Sequence, residues 1–489
     1  MLNLTKRHDG VSRKKVTMWI ILILLAGTAL RLYRLDFQSL RNDELSSWAR
    51  SQHNTLQQVI DRGAIPDCHP PGYYIMLHYI IRIFGDSEIA LRGLSVLTGI
   101  LSIFLTFLLG KQLFSSGTGL FAAALMAFMY NPIYYSRDAR MYSPLMLFTL
   151  AAAYFTVCIS MRMKKHEPVP SRYIGGLVIC ATAASYVHYF GLLFVLLLLG
   201  LFSLKSLRAH EQPFFLFSGL VIVITYLPWW REFFNDLTAS KAIGIPVRLK
   251  TIASFANFMF HGVYLLLAVC VLLVATAVVL LRREPRLRSR DLLLSRELGL
   301  AAWILIPFGF VFIKSLLFAP TYANYTLIFC LPPAYLLVSR AIERVSSRGG
   351  VRITILLALL TLSLAHTIYG ESFYTRAHKQ QFKQATRVIA DHEADVPNAI
   401  VIAYAWSNLY IDYYLKKFGS RHRVDLVAGK AEDIPRLKEL LSGRAPEYIW
   451  FINAHRVPED AFVRYLVVTH TLLSVHSFID ANIILLHTQ

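Results

Sequence analysis

Long apolar runs alternate with short basic connections along this chain. A helix that crosses a bilayer needs ~20 mainly apolar residues. Eleven stretches meet or approach that length: 16–35, 89–110, 117–135, 139–160, 172–188, 190–207, 213–230, 261–281, 298–319, 322–340 and 352–370. One further stretch, PPGYYIMLHYIIRIF at 70–84, is shorter and carries His78 and Arg82. Positive charge decides how to read it. Lys6, Arg7, Arg13, Lys14 and Lys15 precede the first run and belong on the cytoplasmic side. If 70–84 does not cross, the later clusters all join them: Lys111; Arg162, Lys164, Lys165 and Arg172; Lys205 and Arg208; Arg282, Arg283, Arg286, Arg288, Arg290 and Arg296; Arg340, Arg344, Arg348 and Arg352. If it did cross, every one of them would lie outside. The segment is therefore expected to be a helix in the outer interface, with its aromatic rings at headgroup depth. The pattern predicts eleven crossings, N-terminus inside and C-terminus outside. Segments 36–88, 134–142, 231–260 and the tail from about 371 then share the outer face.

The tail has a different period. AIVIAYAW (399–406), EYIWFINA (447–454) and ANIILLHT (481–488) read as short strands, rich in β-branched and aromatic residues. Segments 376–393, 405–418, 431–442 and 458–470 carry helical periodicity. The expected architecture is a polytopic α-helical membrane domain over 1–370, with juxtamembrane helices in the first outer loop at 36–88. A small extracytoplasmic α/β domain follows over 371–489.

Composition agrees. Of 489 residues, 55% are hydrophobic and only 16% charged, against about a quarter charged in a soluble domain. The formal charge of +20 would suggest nucleic acid in a soluble chain. Here it sits between apolar runs and reports topology instead. Four of the five cysteines lie inside apolar runs and Cys68 stands alone, with no CxxC spacing, so neither a disulfide frame nor a zinc site is indicated. The first apolar run is long enough to cross and lacks a small-residue cleavage motif, which predicts a retained helix rather than a signal peptide. No Gly-rich phosphate loop or metal-ligand cluster is visible, and neither a metal nor another cofactor is expected.

The outer segments hold the candidate chemistry. RNDELSSWAR (41–50) puts Asp43 and Glu44 near the membrane, where a carboxylate must be solvated, paired or chemically employed. DCHPPGYY (67–74) puts Asp67 and His69 at the start of the interfacial helix, with Pro70 and Pro71 at positions a helix start allows. YYSRDARMYS (134–143) carries Arg137 and Arg140, three apart. On a helix these would share a face and make a phosphate clamp, since Arg grips phosphate bidentately. SYVHYF (185–190) sets His188 between aromatics, the 231–260 loop carries Arg231, Lys241, Arg248 and Lys250, and Lys314 lies inside the outer end of a span. Each has a plainer reading. The carboxylates could solvate a loop, the arginines and Lys314 could snorkel to headgroups, and His188 could be a packed core histidine. What favours chemistry is that carboxylate, guanidinium, imidazole and amine all fall on the outer face.

The order of motifs resembles a known family. An acidic residue in the first outer loop, HPPGYY, ALRGLSVLTG (90–99), GKQLFSS (110–116), SRDARMYSPL (136–145) and ASYVHYFGLL (184–193) are similar to the GT-C membrane glycosyltransferases. The nearest branch holds protein O-mannosyltransferases, lipid A aminoarabinose transferases and related bacterial polyprenyl-phosphate-sugar-dependent enzymes. The resemblance covers roughly 16–340, and the tail resembles the C-terminal extracytoplasmic domains of that branch. It implies a polyprenyl-phosphate sugar donor and a base from the first outer loop, which maps to Asp43 with Glu44 beside it. It implies donor-phosphate contacts from Arg137 and Arg140, with Lys314 as a further cation. His69, Tyr73, Tyr142, His188, Tyr189, Asn324 and Tyr325 would line or support the substrate cavity. Relatives often show Arg-Tyr where this chain has Asn324–Tyr325, a departure that shifts phosphate binding onto the other cations.

The expectation is an inverting transferase of the cytoplasmic membrane. It would move a sugar to a hydroxyl of lipid A or lipopolysaccharide, a polysaccharide or a protein on the extracytoplasmic face. The competing readings are a lipid-linked-sugar flippase and an inactive, lipid-binding relative. A flippase usually shows repeated halves and broken midplane helices, and the sequence has no evident repeat.

Overall fold

The computed structural model describes residues 12–205, 212–238, 246–283, 296–318, 320 and 322–488. Lys6, Arg7, Arg208, Lys241, Arg286, Arg288 and Arg290, used above for topology or the outer loop, lie outside the described residues. The chain divides into two compact units: 1–33, 54–80 and 92–371 form the first, and 34–53, 81–91 and 372–489 the second.

The first unit is helical because its apolar runs bury backbone and side chains together. Among the described residues, seven segments are long and apolar enough to cross a membrane: Arg13–Leu32, Glu88–Leu113, Tyr142–Met163, Phe214–Asp236, Arg296–Leu317, Asn324–Val345 and Gly349–Gly370. An eighth would be the pair Leu249–Phe260 and Val263–Thr276, bent by 91° at its break. The other three expected crossings fall on shorter helices. Segment 117–135 stops as Ser116–Phe128 (13 residues), while 172–188 and 190–207 are Ser171–Val187 and Tyr189–Lys205 (17 residues each). At 1.5 Å per residue Ser116–Phe128 and Ser171–Val187 reach about 20–26 Å, against a ~30 Å hydrocarbon core, and Tyr189–Lys205 ends where the described residues end. Among the described residues, seven or eight of the eleven expected segments are therefore long and apolar enough to cross by length and composition alone.

The 117–135 run breaks for a visible reason. Met129 is extended (φ −73°, ψ 146°), and a new helix, Tyr130–Ser136, starts beyond it. The carbonyls freed at the break are taken by Arg31, which is fully buried in the first helix. Its guanidinium donates to Met126 O at 2.9 Å, Ala127 O at 3.1 Å and Gly27 O at 2.9 Å. A cation satisfying the open carbonyls of a helix C-terminus is favoured by hydrogen bonding and by the helix dipole. Gly110 and Gly119 let two helix backbones touch, since a Cβ on Gly119 would sit 2.5 Å from the Phe107 carbonyl oxygen.

The second unit surrounds a mixed sheet. Among the described residues its order is β2(Val424–Val427)–β1(Ala399–Tyr404)–β3(Tyr448–Ala454)–β5(Ala481–Thr488)–β4(His470–Phe478). The first three strands are parallel and the last two pair antiparallel. The core lies between this sheet and helices Ile434–Arg444 and Asp460–Thr469, where Ile402, Ile449, Leu437, Phe462 and Leu466 are buried. The expected strands are β1, β3 and β5. β2 is four residues long, and β4 has an apolar, largely exposed outer face without clean alternation, so neither carries a strong period-2 signal.

Residues of the first outer loop belong to this unit rather than to the membrane domain. Leu40 N–H donates to the Tyr414 hydroxyl at 2.7 Å, and Gln38 donates to Arg376 O at 2.8 Å while accepting from His378 N–H at 3.0 Å. Glu44 is completely buried, and Lys379 Nζ donates to its Oε2 at 2.7 Å. Removing one partner from a buried ion pair strands the other charge and costs ~3–5 kcal/mol. Lys379→Met should therefore destabilise this unit by about that amount in denaturant unfolding followed by tryptophan fluorescence, Trp450 being fully buried in β3. Asp43→Asn, at a side chain 44% exposed, should change stability by less than about 0.5 kcal/mol.

Candidate active site

The SRDARM segment is a turn, not the helix face expected above. Helix Tyr130–Ser136 ends with Arg137 N–H donating to Tyr134 O at 3.0 Å, and helix Tyr142–Met163 begins five residues later. Arg140 N–H closes the turn onto Asp138 O at 2.7 Å. The neighbouring helix Glu88–Leu113 holds it through small polar residues. Ser143 Oγ donates to Ser95 O at 2.8 Å, Thr98 Oγ1 donates to Ser143 Oγ at 3.1 Å, and Ser95 Oγ reaches Arg140 O at 3.3 Å. A Cβ on Gly99 would lie 2.6 Å from Ser136 Cβ, so the turn sits directly on that helix. Arg137 and Arg140 are both buried, and Arg137 donates to Leu30 O at 3.2 Å. Two enclosed guanidiniums share this tight turn with the buried Asp138 carboxylate, which leaves an excess of one positive charge where low local dielectric strengthens the pull on an anion.

Aromatic rings surround the turn. Tyr142 lies 4.9 Å from Tyr325 and 5.6 Å from Tyr135, and Arg140 stands 5.9 Å over the Tyr142 ring. Asn324 is tied away from this cluster. It accepts from the Tyr322 hydroxyl and donates to Ser254 Oγ at 3.0 Å. Lys314 is half-buried in the last turn of helix Arg296–Leu317.

Two motifs distant in sequence meet. The HPPGYY segment leads into helix Gly72–Phe84, as expected, and rests on the SYVHYF turn. The His69 and His188 rings are 5.6 Å apart, edge to face. His69 Nδ1 bonds to Asp67 O at 2.8 Å and Asp67 Oδ2 at 3.1 Å, and the Tyr74 hydroxyl donates to the same carboxylate. His188 Nδ1 accepts from Phe190 N–H at 3.1 Å, which assigns the ring proton of the neutral form to Nε2. Arg140 lies within electrostatic reach of His188. Tyr73 is fully buried beside Tyr74, whereas Tyr189 turns to the 229–236 segment, donating to Asp236 and accepting from Trp229 Nε1 at 3.2 Å.

The acidic doublet belongs to the second unit and its members differ. Both open helix Asn42–Ser51. Glu44 accepts from Arg41 N–H at 3.0 Å and from Lys379, which is a capping and anchoring role. Asp43 is 44% exposed and pairs with Arg41 at 3.7 Å. Of the two, Asp43 has the more exposed carboxylate. Sequence reasoning missed two features. Arg31 could have been noticed as an arginine within an apolar run. The group His261, His366 and Glu371, whose potential ligand atoms all lie within 4.8 Å of one another, left no signal, because more than a hundred residues separate His261 from the other two.

The family model for dolichyl-phosphate-mannose-protein mannosyltransferases matches residues 68–231, from the HPPGYY segment through the SYVHYF turn. No curated protein sequence matches the chain. Among solved structures, ArnT from Cupriavidus metallidurans in the apo state superposes with a TM-score of 0.61 at 12% identity, covering 96% of this chain and 98% of that one. The same protein bound to undecaprenyl phosphate gives 0.60 at 12% identity, covering 97% and 98%. The apo oligosaccharyltransferase of Archaeoglobus fulgidus gives 0.53 at 13% identity, covering 90% and 70%. This chain has the GT-C fold. At such low identity the shared property is the path of the backbone.

One glycine tests how tightly its two motifs are joined. A Cβ on Gly72 would lie 2.6 Å from Tyr186 O, whereas nothing lies within 4 Å of one on Gly93. Gly72→Ala should destabilise the first unit by ~1–3 kcal/mol. Gly93→Ala, in the helix interior, should be neutral or stabilising by up to about 1 kcal/mol. Thermal unfolding of the two variants side by side checks this.

Proposed function

We propose that this GT-C protein is an inverting glycosyltransferase of the cytoplasmic membrane. It moves a sugar from a polyprenyl-phosphate donor to a hydroxyl of a cell-envelope acceptor (lipid A or lipopolysaccharide, polysaccharide, or protein) on the extracytoplasmic face. The observation that carries the reading is the buried pair Arg137 and Arg140, set in a tyrosine-lined turn. The ArnT structure that holds undecaprenyl phosphate shares its fold over 97% of this chain, which supports a polyprenyl phosphate as the lipid carrier. The distribution of basic clusters supports the orientation.

In this scheme the acceptor oxygen attacks the anomeric carbon and forms the new C–O bond. Its proton passes to the Asp43 carboxylate. The bond from the anomeric carbon to the phosphate oxygen breaks, and its electron pair leaves on polyprenyl phosphate. Arg137 and Arg140 neutralise the departing anion, with Lys314 adding positive charge. A single displacement inverts the anomeric centre. Asp43 rather than Glu44 supplies the base because a base must reach its proton, and Glu44 is enclosed with its charge already matched by Lys379. His69, Tyr73, Tyr142, His188 and Tyr325 shape the cavity; Tyr189 and Asn324 brace it through Asp236 and Ser254.

Turnover tests the scheme. The purified chain in nanodiscs should transfer sugar from a polyprenyl-phosphate donor to an envelope extract. Asp43→Asn should lower kcat by roughly 10²–10⁴-fold with an unchanged melting temperature. Arg140→Gln should raise KM for the donor and lower kcat. Wild-type transfer by Asp43→Asn would remove Asp43 from the mechanism. Donor binding with no transfer to any envelope fraction would favour the non-catalytic, lipid-binding reading.

A further inference from the structure

Two imidazoles of the first unit, apart from the arginine turn, converge on one carboxylate oxygen. His261 Nε2 lies 3.2 Å from Glu371 Oε1, and His366 Nε2 lies 3.4 Å from the same atom. Those separations are long for charge-assisted hydrogen bonds, which run ~2.7–2.9 Å. They match the ligand-to-ligand edges of a tetrahedral metal site: bonds of ~2.0–2.1 Å give edges of about 3.3–3.4 Å.

The backbone around the group is arranged to hold this convergence. His366–Gly370 is a π-helical turn, and Glu371 N–H donates to His366 O at 2.8 Å. The wider i→i+5 turn carries Glu371 back over His366, which a regular α-helix would not do; such turns recur at functional sites. His261 occupies the break between Leu249–Phe260 and Val263–Arg283 at φ +40°, a left-handed conformation that a non-glycine residue adopts at a cost. The Tyr130 ring stacks on its imidazole at 3.8 Å and 8°, fixing the ring plane. Two glycines make room for the other imidazole. A Cβ on Gly370 would fall 2.8 Å from His366 Nδ1, and one on Gly262 (φ +112°) 3.2 Å from His366 Cδ2. The three side chains are 24–33% exposed, so water can reach the open side.

We propose that His261, His366 and Glu371 bind a divalent transition-metal ion of the zinc class, with solvent in the fourth position. Two imidazoles and one carboxylate suit such a borderline ion better than calcium or magnesium, which prefer all-oxygen sites. The ion ties the break at 261–262 to the end of the last long apolar helix. This site is independent of the sugar-transfer reading and stands or falls without it.

Full-length protein, purified without a polyhistidine tag and stripped with EDTA, is titrated with Co²⁺ as a spectroscopic stand-in and then with Zn²⁺. The expected result is visible ligand-field absorption of four- or five-coordinate cobalt saturating near one ion per chain. Zn²⁺ should displace it and raise the unfolding midpoint by several degrees. Glu371→Gln preserves shape and hydrogen-bonding capacity, and His366→Gln removes an imidazole. Each should cut Co²⁺ affinity at least tenfold and abolish the thermal shift. Should His366→Gln fail to fold, Glu371→Gln alone decides. Absence of saturable cobalt binding, or binding equally strong in Glu371→Gln, would overturn the proposal and leave a hydrogen-bonded triad.

Discussion

A buried guanidinium must find acceptors, and in this protein that requirement organises the first unit. Arg31 sits in an apolar helix with no exposure, where an unsatisfied charge costs several kcal/mol. Its two terminal nitrogens find acceptors because the Ser116–Phe128 helix stops, leaving the Met126 and Ala127 carbonyls free to accept. The helix break and the buried cation each need the other. Once the helix has stopped at Met129, the chain restarts as the short Tyr130–Ser136 helix and delivers Arg137 and Arg140 into a turn. Arg137 then returns to the first helix at Leu30 O, one residue from Arg31. Gly27 allows the close approach, since a Cβ there would lie 3.2 Å from Ala127 Cβ.

Adjacent carboxylates show how burial sorts chemistry from architecture. Asp43 and Glu44 differ by one methylene and one position. Along a helix one position is a rotation of about 100°, enough to turn one side chain into the second unit's interior and the other outward. Glu44 and Lys379 stabilise each other only because both are enclosed; in water the same pair would contribute little. Anchored this way, Glu44 holds the start of the helix that carries Asp43. The base proposed at Asp43 benefits from such support, because positioning errors of an ångström cost rate steeply.

Much of this was legible in the sequence, and the gaps have physical causes. Apolar runs located the helices because burial and helix formation select the same residues. Strands β1, β3 and β5 showed because they are apolar and β-branched; β4 did not, since its outer face carries Leu472, Leu473 and Val475 in the open. The 117–135 segment was read as one helix because its apolar composition continues through Met129 while the helix does not. The spacing of Arg137 and Arg140 suggested a helical face, but the backbone there turns. For the candidate site, the motifs named individual residues, yet only the folded chain separates exposed Asp43 from enclosed Glu44 and brings His69 to His188.

Inside a bilayer, irregular backbone is tolerated only where protein or a lined cavity satisfies its polar groups. Several candidate groups of the first unit sit at such interruptions: the turn at 137–141, His188 after Val187, His261 at φ +40°, Asn324 and Tyr325 in a 3₁₀ segment, and His366 in a π-helical turn. A continuous helix spends its carbonyls and amides on itself and presents side chains to lipid. An interrupted one frees polar groups and gathers side chains from different helices at one level. The breaks that shorten the crossings are therefore the feature that makes polar chemistry affordable in so apolar a chain.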